Sequence, residues 1–71
     1  MKQYYYVNKD DTHNPGLHHE VHTQQHMIEL HIINAIPLGL FDNEQDAVQS
    51  AKRYYLDADG CAICCPRAHR G

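Results

Sequence analysis

All three cysteines of the chain, Cys61, Cys64 and Cys65, stand within five residues, and His69 follows four residues later. Thiols at Cys-x-x-Cys spacing can both reach one ion, because a tight turn between them returns the chain within a few ångströms. A histidine shortly afterwards can supply a nitrogen. Six further histidines, His13, His18, His19, His22, His26 and His31, lie in the first half of the chain. The chemistry these residues suggest is a zinc site made by Cys61, Cys64, His69 and one histidine of the 17–31 stretch. His22 or His26 is the favoured donor, and Cys65 stands in reserve. Thiolate and imidazole are ligands that suit zinc, and a closed tetrahedral set of them is structural rather than catalytic.

Other chemistries compete for the same residues. Buried cysteines often pack as small hydrophobes. On a regular strand Cys61, Ile63 and Cys65 would share one face while Cys64 pointed away, so chelation demands a turn at this place. A thiol–disulfide couple wants a cysteine at a helix start, whereas here Pro66 follows the motif with no helical pattern after it. His19-Glu20-Val21-His22 is not the metalloprotease motif: its histidines are three apart, and in the i, i+4 pair His18 and His22 the residue after His18 is His19, not glutamate. The series His18, His22, His26 fits a solvated polar face better than a metal stripe along a helix. Cys64 with His69 is the one pair that could pose as nucleophile and base, and no enzyme is expected.

The elements that would carry these residues can be read in part. Tyr4-Tyr5-Tyr6-Val7 has strong strand propensity and runs into the polar Asn8-Lys9-Asp10-Asp11, which gives a strand over about residues 3–8. Pro15-Gly16 suits the centre of a type II turn. From Leu17 to Ile33 two readings stand side by side: one helix with His18, His22 and His26 along a face, or two strands, His19–Thr23 and Met27–Ile33. The β-branched residues favour the strands. Asp42 or Asn43 can cap a helix over about 43–56, with Glu44 and Asp46 in its first turn and Ala47, Val48, Ala51, Tyr54 and Tyr55 on its buried face. Asp57-Ala58-Asp59-Gly60 would stop it, and Cys61–Cys65 would form a last short strand.

Seventy-one residues allow one domain, and a chain of this size buries only about 60% of its unfolded surface, so a staple would help it. Six basic against nine acidic residues give a net charge of -3. No basic block tracks a phosphate backbone, so neither nucleic-acid binding nor base stacking by the five tyrosines is expected. The apolar run Ile32–Phe41 is interrupted by Asn34, Pro37 and Gly39 and falls short of the roughly 20 residues that span a bilayer. Met1-Lys2-Gln3-Tyr4 opens no signal sequence, and the expectation is a cytoplasmic protein with reduced thiols.

Tyr4-Tyr5-Tyr6-Val7-Asn8, His19-Glu20-Val21-His22, Leu38-Gly39-x-Phe41, Asp46-Ala47-Val48-x-x-Ala51-Lys52-x-x-Tyr55 and Ala58-Asp59-Gly60-Cys61-x-x-Cys64-Cys65-Pro66-x-x-His69 together resemble a family of small uncharacterised bacterial proteins. The family pattern carries further cysteines after HEVH and directly before the final histidine, where this chain has His26 and Ala68. Cysteine to histidine keeps a ligand, and cysteine to alanine removes one. The resemblance implies the fold and brings no activity with it. Taken together, the expected molecule is a single α+β domain, a small antiparallel sheet of three or four strands packed against one α-helix, non-enzymatic and zinc-binding. The competing reading is a metal-free, homodimeric protein-interaction module, its tyrosine-rich edge strands or the apolar Ile32–Leu38 patch meeting a second copy or a protein partner.

Overall fold

The computed structural model describes residues 2–10 and 18–70. The Pro15-Gly16 turn and His13 lie outside the described residues. Four strands, β1 (Gln3–Asn8), β2 (His19–Thr23), β3 (Ala35–Phe41) and β4 (Ala58–Gly60), form one sheet in the order β3-β1-β2-β4. Helix α1 (Gln24–Glu29) follows β2, helix α2 (Glu44–Ala51) follows β3, and a 3-10 turn, Pro66–Ala68, closes the described chain. The class is α+β. The sheet is mixed: β1 pairs antiparallel with β2 and β3, but β2 and β4 run parallel, His19 opposite Ala58 and Val21 opposite Gly60. A parallel neighbour requires a long crossover, here supplied by α1, β3 and α2.

Alternation along the strands sorts their side chains. Tyr5, Val7 and Val21 are buried in one cluster with Ala47, Val48 and Ala51 of α2, together with Ala58, Cys65 and Ala68. Tyr6 and His22, opposite one another across β1 and β2, belong to the other face. Helix α2 starts where expected, because Asn43 Oδ1 accepts the Asp46 N–H at 2.8 Å and Glu44 and Asp46 occupy its first turn. It ends sooner than the expected 56, passing into turns at Lys52–Tyr54, so that Tyr54 is exposed while Tyr55 stacks on His19 at 3.7 Å between ring centroids.

Residues 19–33 divide between the two readings. His19–Thr23 is a strand, but the expected second strand over Met27–Ile33 is not formed: α1 begins at Gln24. Thr23 is the reason, since its hydroxyl accepts the His26 N–H at 3.3 Å as an N-cap. Of the isoleucines that argued for a strand, Ile28 alone falls inside the helix, which gives way to a turn at Leu30 and His31, the latter with φ 57°. The last strand is also displaced. It is Ala58–Gly60, and Cys61–Cys65 is a turn closed by Cys65 N–H to Cys61 O at 2.8 Å.

Gly60 permits this closure. A Cβ there would lie 2.7 Å from the Cys65 carbonyl oxygen and 3.0 Å from Ala68, so Gly60→Ala is expected to cost about 1–3 kcal/mol, as overpacking does. A denaturant midpoint lower than that of the wild type checks this. Of the two edge strands of the sheet, β3 and β4, the longer, β3, carries Pro37 and, beside Gly39 at φ 106°, a register shift opposite Tyr5 and Tyr6. Both features interrupt edge-to-edge pairing with another chain.

Candidate metal centre

Three local devices bring the donors together. The β4 pairing continues one residue past Gly60, with Cys61 N–H donating to Val21 O at 3.0 Å, which sets Cys61 beside the end of β2. The turn from Cys61 to Cys65 then swings Cys64 back towards the same strand end. On the other side, the chain leaves β2 at Thr23 and enters α1, so that His22, the last-but-one strand residue, and His26, in the first turn of the helix, face each other with ring centroids 5.4 Å apart.

The result is a group of four ligand atoms, one each from His22, His26, Cys61 and Cys64, all within 4.8 Å of one another. Cys61 Sγ lies 3.6 Å from His26 Nδ1, and Cys64 Sγ lies 3.8 Å from His22 Nδ1. In a tetrahedron with metal–sulfur and metal–nitrogen bonds of about 2.3 and 2.0–2.1 Å, neighbouring sulfur and nitrogen atoms stand about 3.6 Å apart. The observed spacings suit a common metal ion at their centre. His22 and Cys61 are buried and His26 and Cys64 half-buried, while a shallow groove lined by Thr23, Gln25, Glu29 and Ile63 reaches the latter pair from solvent. An ion therefore has a way in.

The thiols differ in character. The Cys65 thiol, 3.8 Å away, pulls the Cys64 thiol down to about 3, against the opposing effect of burial and assisted by His22, the Thr23 backbone and His26. The same contact, followed by burial, pushes Cys65 up, and burial pushes Cys61 up. Cys64 is thus the thiolate of the pair, the form in which sulfur ligates.

Of the residues singled out in the sequence, Cys61, Cys64, His22 and His26 come together. His69 does not join them. After Cys65 the 3-10 turn carries the chain back along β4, and the His69 ring lies with Nδ1 2.9 Å from Gly60 O and 3.5 Å from Asp59 Oδ2. That path is held by Glu44, whose Oε1 accepts the backbone N–H groups of Arg67 and Ala68, and by Asp59 Oδ1, which accepts the Arg70 N–H at 2.9 Å. Cys65, the reserve ligand, is fully buried in the apolar core instead. Sequence reasoning asked for one upstream histidine, and the fold supplies two. The missed signal was Thr23 as a helix cap, which places His22 and His26 on either side of a chain reversal. Comparison with known protein families, characterised proteins and solved structures finds no match.

Proposed function

We propose that this chain is a small non-enzymatic domain that binds one zinc ion through His22, His26, Cys61 and Cys64, and that the ion serves to hold the fold together. The observation that carries this reading is the convergence of two imidazoles and two thiols within 4.8 Å. Two thiolates and two imidazoles form a closed set typical of structural zinc and leave no position for a substrate. Magnesium and calcium, which take oxygen ligands, are poorly matched. The residue resemblance supports the same centre: position 26, where the family pattern has a cysteine, carries the histidine whose Nδ1 faces Cys61. Position 68, where a ligand type is lost, lies in the apolar core, so the loss costs this centre nothing.

The placement of the ligands fits a staple. Cys61 and His26 are 35 residues apart, and Cys64 and His22 are 42 apart, so one ion ties the end of β2 and the start of α1 to the turn after β4. Among the described residues, no helix is long and apolar enough to cross a membrane.

Native mass spectrometry of the protein purified without added metal tests the reading. The expected species is a chain carrying one zinc ion, unchanged in stoichiometry by His69→Ala. A folded, metal-free dimer would overturn it in favour of an interaction module, for which the exposed Ile33 and Leu56 would be the first contacts to examine.

A further inference from the structure

The one ring nitrogen of His22 that faces away from the thiols, Nε2, leads to a second layer of this centre. His22 Nε2 and His18 Nε2 are both buried without a hydrogen-bond partner. Each lies close to the same carboxylate: His22 Nε2 is 3.6 Å from Glu20 Oε1, and His18 Nε2 is 3.5 Å from Glu20 Oε2. Glu20 and His22 alternate along β2 and so share a face, and His18, the bridge residue just before the strand, brings its ring to the same carboxylate. The Glu20 side chain is itself largely withdrawn from solvent, at 16% exposure.

We infer that Glu20 is a positioning residue of the metal centre, holding His22 as the tautomer with its proton on Nε2 so that Nδ1 is left free for the ion. The inference rests on the zinc-binding reading above. A neutral imidazole carries one proton, so a metal on Nδ1 requires the proton on Nε2, inside the protein, where it needs an acceptor. Glu20 Oε1 is the acceptor that faces it. The separations exceed the usual 2.7–3.2 Å of an N–H···O bond, so a shift of a few tenths of an ångström is what Nε2 needs to donate to Glu20 when His22 ligates. His18 bears on the other carboxylate oxygen, keeping the carboxylate centred between the two rings. Carboxylates placed behind metal-bound histidines orient the ring and raise its basicity.

The test compares wild type with Glu20→Gln, which keeps size and shape but loses the charge. Zinc affinity is measured by competition with a chromophoric chelator, and the His22 tautomer is read in the zinc-loaded protein by long-range nitrogen–proton NMR. The expected result is one zinc per chain in both proteins, about 10- to 100-fold weaker in Glu20→Gln, with His22 of the wild type protonated on Nε2 and ligating through Nδ1. Equal affinities within twofold, or His22 ligating through Nε2, would overturn the role of Glu20 while leaving the zinc site standing. Absence of zinc binding by the wild type would overturn both. Glu20→Ala gives a second reading of affinity without an amide oxygen to accept the proton, and a loss no greater than that of a remote surface variant such as Lys52→Ala would again count against the role.

Discussion

Stripping the zinc ion proposed for His22, His26, Cys61 and Cys64 with a strong chelator at neutral pH is expected to unfold the domain, abolishing its near-ultraviolet tyrosine signal and the spread of its amide resonances. The core explains why. Its fully or nearly buried apolar residues are Tyr5, Val7, Val21, Ala47, Val48, Ala51, Ala58, Cys65 and Ala68, mostly small side chains, while the larger Leu40, Leu56, Ile33 and Ile63 are exposed. Burying a valine stabilises by roughly 1.5–3 kcal/mol and an alanine by less, against an ordering cost of roughly 1–2 kcal/mol for every residue. Structural zinc contributes roughly 10–16 kcal/mol in small peptides, comparable with the entire 5–15 kcal/mol by which typical domains are stable. Removal therefore takes away as much as the fold has to lose. Stoichiometric zinc should restore the signal and magnesium should not. A metal-free chain that still melts cooperatively within a few degrees of the loaded form would show that the packing suffices alone.

The parts of this structure that were legible in the sequence are those decided locally. The Tyr4–Val7 strand and the Asn43-capped helix follow from propensity, periodicity and capping within a few residues, and both appear at β1 and α2. Asp57-Ala58-Asp59-Gly60 reads as a helix stop because Asp and Gly are poor helix formers, and not as a strand because they are poor strand formers too. Its last three residues, Ala58–Gly60, become a strand through their parallel pairing with β2 and their burial, neither of which is local. The residues of the candidate metal centre divide the same way. Cys61 and Cys64 announce themselves by their spacing, but whether their nitrogen partner is His69, eight residues after Cys61, or His26, thirty-five before it, depends on the direction the chain takes after Cys65. Glu44, through its acceptance of the Arg67 and Ala68 N–H groups, settles that direction from another element altogether.

Single replacement of any of the four proposed ligands should weaken zinc binding by about two to three orders of magnitude, because each would supply on the order of a quarter of roughly 10–16 kcal/mol. The informative comparison is between neighbours. Cys64→Ala and Cys65→Ala each remove one thiol from adjacent positions, yet only Cys64 Sγ lies beside an imidazole nitrogen, whereas Cys65 is enclosed by the core. Cys64→Ala is expected to lose tight binding. Cys65→Ala should keep one ion per chain and lose only about 1 kcal/mol of folding stability, for the small cavity it leaves. The histidines provide a second pair: His26→Ala should fail like Cys64→Ala, while His69→Ala, whose ring lies against Gly60 O, should bind as the wild type does. Cobalt substitution reads both comparisons, since thiolate-to-cobalt charge transfer diminishes when a ligating sulfur is lost, the visible d–d bands of tetrahedral cobalt change when a ligating imidazole is lost, and neither responds to the loss of a core sulfur or a remote ring. If Cys65→Ala and His69→Ala proved as damaging to the cobalt spectrum as Cys64→Ala and His26→Ala, the ion would have to sit nearer the carboxy-terminal turn, and the arrangement of His22 and His26 around the thiols would have some other purpose.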